Sequence, residues 1–400
     1  MLKRFPIQYR QLIWLLSAVS LFLSLWIILP APTLWLLPLA VGAPEISPGL
    51  LALNAIALLL VVFVINRSRQ RRLAIACSLL GLLLSALPLL QFPGTVARST
   101  TAMQATLGSD YLATVPQSVQ AQMRPYPFVL ADLFTGIPAK QVRHTSGVRF
   151  ATPNGVPLTL EIYHPLPVGK YPTLITFYSG AWRHGKPTQD ASFNQYMAAQ
   201  GYTVIAIDYR HAPQFPFPAQ LQDVQTALKF IQQHATEYEV NLDHIALLGR
   251  SAGAHLALLA AYQPKISPIP IQAVVSYYGP TDLAGGYANP PFPDPLNVRA
   301  VLEDFLAGSL PQFPFLYQDA SPIHYVRSGL PPTLLVYGDR DHIVEAKFGR
   351  ALYQRLQAVG NPVVWIEIPW AEHVFDTIQS GLSNQLALYY TERFLAWALQ

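Results

Sequence analysis

Residues 247–255 read Leu247-Leu248-Gly249-Arg250-Ser251-Ala252-Gly253-Ala254-His255. The stretch closes an apolar run at 244–248 and opens a helical pattern over 252–262, so its G-x-S-x-G lies between a strand and a helix. Glycines at 249 and 253 let the chain turn sharply and pack closely, which holds Ser251 on a strained elbow with Oγ exposed. A glycine-rich turn with a capping serine would carry the same letters. The strand–turn–helix setting is what points to a nucleophile.

Outward from the elbow, apolar β-branched runs at 173–178, 202–207, 244–248, 273–278, 333–337 and 363–368 alternate with helical patterns. Those patterns lie near 188–200, 219–235, 252–262, 345–359 and 377–398. Residues 150–152 and 158–163 flank Asn154-Gly155, a hairpin turn signal. The expected architecture is α/β: a mostly parallel eight-stranded sheet with helices on both faces, preceded by an antiparallel hairpin. Ligands in such a sheet bind at the carboxyl ends of the strands.

A serine hydroxyl attacks poorly unless a base takes its proton and an acid orients that base. The chain order Ser…Asp…His selects two later segments. Tyr337-Gly338-Asp339-Arg340-Asp341-His342 follows one strand, and Pro369-Trp370-Ala371-Glu372-His373-Val374 follows the last. His373 is the expected base and Asp341 its orienter, with Asp339 as competitor; an Asp after a strand often only caps a turn. His342 and His255 read as structural or packing residues. The N–H of Ala252 is one expected donor to an oxyanion, and the loop after strand 173–177 should supply the others.

That loop, Tyr178-Ser179-Gly180-Ala181-Trp182, resembles the His-Gly-Gly-Gly-Trp of the α/β-hydrolase esterase/lipase group related to hormone-sensitive lipase and to acetyl-xylan and feruloyl esterases. Asp208-Tyr209-Arg210-His211-Ala212-Pro213-Gln214, with Phe217-Pro218-Ala219 and Gln222-Asp223-Val224, is similar to the group's D-Y-R-L-A-P-E…F-P-A…D-V. Ala320-Ser321-Pro322-Ile323 is similar to its A-S-P-I/L element. The likeness covers about residues 145–398. It implies an α/β-hydrolase fold and ester hydrolysis through Ser251, Asp341 and His373, without metal or organic cofactor. It also implies an oxyanion hole of Gly180, Ala181 and Ala252. Tyr for His and Ser for the first Gly change the residues that brace the loop. Asp208 to Arg210 reads as an internal brace around a buried Asp–Arg pair.

The remaining quarter differs in composition. The whole chain of 400 residues is 52% hydrophobic and 12% charged, about half the ~25% charge of soluble domains. That excludes a disordered chain, a nucleic-acid-binding tail and a coiled coil. Residues 1–92 hold seven basic residues and one acid, Glu45, leaving 19 basic and 21 acidic in the rest. Three apolar runs, about 11–29, 50–65 and 73–90, contain no charged residue and approach the ~20 residues that span a bilayer. An arginine-rich loop at 66–72 separates the second and third, while 30–49 has no Lys or Arg. The positive-inside rule then expects a multi-pass integral membrane protein with a cytoplasmic N-terminus and the catalytic domain on the other side. A cleaved signal peptide is the alternative for the first run.

The expected organisation is 1–92 membrane region, 93–142 juxtamembrane connector, and 143–400 catalytic domain. Prolines 116, 125, 127 and 138 break the connector. Together with the proline-rich 285–317 it is a candidate lid. The single cysteine, Cys77, allows no intrachain disulfide and no thiolate metal cluster. The expected function is a membrane-anchored serine ester hydrolase acting on a small-molecule or lipid ester, with no nucleic-acid partner. A membrane acyltransferase with the same triad, or a non-catalytic hydrolase-fold adaptor, are the alternatives.

Overall fold

The computed structural model describes residues 7–65, 69–138 and 140–399. Lys3, Arg4 and Arg67, on which the orientation rule partly draws, lie outside the described residues. Four helices come first: α1 (Ile7–Leu25), α2 (Leu37–Glu45), α3 (Ser47–Val64) and α4 (Arg69–Leu107), followed by two short ones, α5 (Gln117–Gln120) and α6 (Leu130–Thr135). The strands are β1 (Arg143–Ala151), β2 (Leu158–His164), β3 (Tyr171–Phe177), β4 (Thr203–Ile207), β5 (Val240–Arg250), β6 (Ala273–Tyr277), β7 (Thr333–Gly338) and β8 (Val363–Ile368). Between and after them run α7 (Ala191–Ala199), α8 (Ala219–Gln233), α9 (Ala252–Tyr262), α10 (Leu283–Ala288), α11 (Val298–Leu306), α12 (Pro314–Asp319), α13 (Ala346–Ala358) and α14 (Leu382–Ala398).

The eight strands form one sheet in the order β1-β2-β4-β3-β5-β6-β7-β8. β2 runs antiparallel to both β1 and β4, and the remaining neighbours are parallel. Asn154 and Gly155 take left-handed dihedrals at the β1–β2 turn, where short polar and glycine residues are tolerated. β3 to β7 are buried along nearly their whole length. That is why they appear as continuous apolar runs without alternation.

α3 and α4 are long and apolar enough to cross a membrane by length and composition; α1 is apolar but shorter. The three pack together along a seam of small polar residues. Asn54 Nδ2 donates to Ser24 Oγ at 2.9 Å, Ser24 and Ser85 hydroxyls meet at 2.9 Å, and Ser78 donates to Ser17 at 3.1 Å. Gly81 lets α4 approach Asn54, where a Cβ would stand 2.0 Å from Oδ1. Small residues and interhelical hydrogen bonds are how apolar helices associate without a hydrophobic gradient.

Two expectations change. The third apolar run does not end near residue 90, because α4 continues through Pro88 and Pro93 to Leu107. From Phe92 onward it lies along β8: Phe92 packs on Trp370 with ring centroids 5.9 Å apart, and Thr106 Oγ1 donates to the Val363 carbonyl at 3.0 Å. The expected boundary at 92 thus falls inside one helix, stabilised by packing against the sheet edge despite its prolines. The 30–49 segment, expected as a loop, contains α2, which packs on the start of α14, and the chain just before it meets the loop after β7. Glu45 accepts the Ser383 N–H at 2.7 Å, and Arg340 donates to the Ile28 carbonyl.

Glu45 is fully buried and its Oε1 lacks a partner. Desolvation pushes its carboxyl up to about 8, against the lowering effect of the Ser383 hydrogen bonds. A raised carboxyl binds a proton in the folded state that the unfolded chain has released. Stability therefore declines as pH rises from about 4.5 to about 8, by up to ~5 kcal/mol for this shift. The thermal midpoint of detergent-solubilised wild type should fall between pH 5.5 and 8.5 relative to Glu45→Gln, and parallel pH profiles of the two proteins would refute the assignment.

Candidate active site

β5 delivers Ser251 to the carboxyl edge of the sheet, and α9 begins at the next residue. Ser251 has φ 50° and ψ −120°, a conformation that an L-residue keeps only when its surroundings impose it. Its N–H donates to the Tyr277 carbonyl at 3.0 Å. A Cβ at position 253 would stand 2.4 Å from the Phe177 carbonyl oxygen, and one at 249 would stand 2.3 Å from the Gly253 carbonyl oxygen. Both glycines are therefore required by close approach.

The loop after β8 brings His373 to this serine. Nε2 lies 2.9 Å from Ser251 Oγ, and Nδ1 lies 2.7 Å from Asp341 Oδ2. A carboxylate at Nδ1 holds the proton there and leaves Nε2 as acceptor for the serine hydroxyl. Asp341 Oδ1 accepts the N–H groups of Ile343 and Val344 at 2.8 and 2.7 Å. Burial pushes its carboxyl above the ordinary range, and His373 opposes that rise. Asp339 is elsewhere: it is half exposed and faces Arg350 at 3.8 Å. The other two histidines are occupied. His342 Nδ1 pairs with Glu372 Oε2 at 2.6 Å. His255 is buried, its Nε2–H donates to the Ala320 carbonyl at 2.6 Å, and burial brings its pKa down to about 4.

Gly180, Ala181 and Trp182 turn through φ values of 145°, 52° and 57°. Ala181 accepts a left-handed cost of ~1–2 kcal/mol that glycine at this position would not. A Cβ on Gly180 would meet the His184 carbonyl oxygen at 1.9 Å. Tyr178, which replaces the His of the resembled motif, donates its hydroxyl to Asp208 Oδ1 at 2.8 Å, lies 2.9 Å from His211 Nε2 and stacks on Tyr209 at 4.4 Å. The buried Asp–Arg pair expected of this stretch joins Arg210 to Asp223, by Nη2 to Oδ1 at 2.8 Å and Nε to Oδ2 at 2.9 Å, while Asp208 serves Tyr178. Trp182 is buried between Phe305, stacked at 4.1 Å, and His255, edge-on at 5.0 Å.

An apolar cleft encloses about 600 Å³, its open mouth included, between Ser251, Ala181, Trp182, Leu302, Val344 and Phe348. Segment 285–317 supplies one wall through Gly286, Pro291, Leu296, Val298 and Val301. No residue of 93–142 lines it among the described residues, so the connector forms no part of a lid here; α4 has taken residues 93–107 to the β8 edge.

Two further polar arrangements, one around Asp376 and one around Glu372, hold the site and were not singled out in the sequence. Arg250 donates to Asp376 Oδ2 and lies 3.5 Å from Asp190 Oδ2. Tyr278 donates to Asp376 Oδ1, and its ring meets that of His373 at 4.7 Å. Glu372 Oε1 accepts the N–H groups of His342 and His373 at 2.7 and 3.0 Å, tying the two loops that carry Asp341 and His373. The G-x-S-x-G pattern leaves position x open. Only the adjacency of Glu372 to His373 could have signalled the second role.

The BD-FAE family model matches residues 160–356. LipM of Mycobacterium tuberculosis, described as a probable carboxylic ester hydrolase, is 32% identical over 240 residues, 57% of this chain and 54% of LipM. An acetyl-hydrolase of Streptomyces hygroscopicus is 30% identical over 212 residues, 51% of this chain and 68% of that protein. A truncated carbohydrate esterase from gut microbiota superposes with a TM-score of 0.53 at 21% identity, over 64% of this chain and 97% of that one; this likeness concerns the fold alone. The chain spans about half the length of LipM and of the M. tuberculosis esterases LipC and LipQ, at 54%, 57% and 54%. By sequence relationship and by sheet order, the chain belongs to the α/β-hydrolase esterase family.

Proposed function

We propose that this chain is a membrane-anchored serine hydrolase that cleaves carboxylic esters through Ser251, His373 and Asp341. The relay from Asp341 through His373 to Ser251 Oγ, at 2.7 and 2.9 Å, carries the reading. The family membership and the description of LipM as a carboxylic ester hydrolase support it. In this mechanism His373 Nε2 takes the Ser251 proton as Oγ attacks the ester carbonyl carbon. The carbonyl oxygen becomes an oxyanion facing the N–H groups of Gly180, Ala181 and Ala252. Collapse breaks the bond to the alcohol oxygen, which leaves with the proton from His373. A water molecule, deprotonated by the same nitrogen, then releases the acid from Ser251. Asp341 faces the imidazolium in both steps and keeps its proton on Nδ1.

The anchor in this reading is α1, α3 and the first half of α4. Arg69, Arg71 and Arg72 at the start of α4, with no Lys or Arg in 30–49, support a cytoplasmic N-terminus and catalysis on the opposite side.

Labelling of the solubilised protein with a fluorophosphonate, alongside a nitrophenyl ester series, tests the reading. Ser251→Ala should abolish labelling and lower kcat by ~10⁴-fold or more. Labelling that survives this substitution would exclude Ser251 as the nucleophile.

The two carboxylates after β7 separate cleanly. Asp341→Asn should lower kcat by ~10²- to 10⁴-fold, and Asp339→Asn should stay within about twofold. The reverse order would overturn the assignment.

Arg250 and Asp376 form a buried pair at the base of the His373 loop, with side chains 3% and 6% exposed. Removing one partner of such a pair leaves a buried charge and costs ~3–5 kcal/mol. Asp376→Ala should therefore lower the unfolding midpoint of the catalytic domain markedly, and Arg250→Met in the same chain should recover part of the loss. Strictly additive losses would argue against the pairing.

A further inference from the structure

The direction in which the cleft opens follows from how α4 meets the sheet. Phe92 packs on Trp370, just past the carboxyl end of β8, and Thr106 bonds Val363 at its start. α4 therefore runs antiparallel to β8, and its apolar first half, before residue 90, lies beyond the carboxyl end of the strands. Ser251, Asp341 and His373 sit at that same end. Two more contacts fix the orientation: Arg340, between Asp339 and Asp341, donates to the carbonyl of Ile28 just past α1, and Glu45, just before α3, holds Ser383 at 2.7 Å.

At this end the loop through Phe292 stands out from the protein. Phe292 is 96% exposed and follows Pro291, which lines the cleft with Ser251. On its other side Phe292 borders Asp339 and His342, the neighbours of Arg340. Trp35, 93% exposed, lies in the segment from α1 to α2 that docks on the same face. Aromatic side chains at the level where apolar helices leave the bilayer partition into its interface.

We propose that the mouth of the cleft lies on the bilayer surface, with Phe292 inserted in the non-cytoplasmic leaflet. The ester then reaches Ser251 from the lipid phase, its acyl chain passing from leaflet to apolar cleft without crossing water. The substrate class is a membrane-resident long-chain ester. This rests on the membrane-anchored reading above, and the test below separates the two. The occupant is a lipid leaflet because the exposed aromatic loop borders the loop after β7, whose Arg340 holds the end of the first apolar helix at Ile28.

The single native cysteine allows site-specific labelling. In a Cys77→Ser background, Phe292→Cys, Phe63→Cys and Val168→Cys are each labelled with the fluorophore NBD. The full chain is then reconstituted in phosphatidylcholine nanodiscs with doxyl-labelled lipid or with aqueous iodide. Phe63 is exposed on α3, and Val168 precedes β3 at the opposite end of the sheet. The label at 292 should be quenched by doxyl lipid and protected from iodide, as at 63; the label at 168 should show the reverse. Iodide quenching at 292 with lipid quenching at 63 overturns leaflet entry and leaves the anchor standing. Iodide quenching at 63 removes the anchor, and leaflet entry with it. In the unlabelled protein, Phe292→Asp should lower the ratio of turnover on vesicle-borne long-chain ester to turnover on dissolved nitrophenyl acetate about tenfold, and an unchanged ratio overturns the proposal. Ester turnover that survives Ser251→Ala would instead count against Ser251 as the nucleophile and leave the quenching result at 292 untouched.

Discussion

The carbonyl oxygen of Phe177 and the backbone of Gly253 approach so closely that a methyl group between them would overlap at 2.4 Å. That approach joins three strand ends at one point. β5 is held against β3 in parallel register up to the Phe177–Gly249 pair and against β6 up to the Arg250–Tyr277 pair. The chain must then leave the sheet within one residue, because α9 begins at Ala252. The only backbone that does this places Ser251 in the left-handed region. The cost is met by the parallel sheet on either side, whose buried strands leave no softer conformation available. The same contact brings the Tyr178–Trp182 loop, which follows Phe177, beside the start of α9.

Polar residues then secure what the elbow positions. His373 sits on a loop whose own backbone bonding is limited to short turns such as that at Phe375–Thr377, so side chains also fix its place. Glu372 reaches back to the loop that carries Asp341, and Asp376 is held by Arg250 and Tyr278 from the neighbouring strand ends. A buried arginine such as Arg250, next to Ser251, is costly unless carboxylates accompany it. Here the carboxylates come from the start of α7 and from the His373 loop itself, so neutralising Arg250 and anchoring His373 are one arrangement.

Much of this was legible in the chain. Buried parallel strands need continuous β-branched runs, and the runs at 173–178, 202–207 and 363–368 coincide with β3, β4 and β8 to within two residues. The elbow was legible because its glycines are dictated by backbone contact, and a backbone contact leaves little freedom of residue type. Asp341 and Asp339 stayed open because both follow β7 and differ only in which way the turn aims them. The Ile343 and Val344 N–H groups decide it, a local geometry that composition does not encode. α10 to α12 were missed because they are short and set among prolines; α11 has a regular apolar face of Val301, Leu302, Phe305 and Leu306, and Phe305 of that face stacks on Trp182. α4 was cut short for the opposite reason: Pro88 and Pro93 are strong local breakers, but the sheet edge outweighs them.

That last override has the widest consequence. Had α4 ended at its prolines, the apolar helices and the eight-stranded sheet would be joined by a loop free to orient them in many ways. A helix that continues from the apolar bundle onto the edge strand permits few. Its polar contacts are spread over the domain: Thr100 meets Tyr390 on α14 at 2.8 Å, and Thr106 meets Val363 at 3.0 Å. Farther out, Arg124 clamps Asp132 of α6 at 2.8 Å and Gln385 of α14 at 2.6 Å. Because β8 points its carboxyl end toward the bundle, the face that carries Ser251 is turned the same way. The orientation of the cleft relative to the apolar helices is thus set by a helix that contributes no side chain to that cleft.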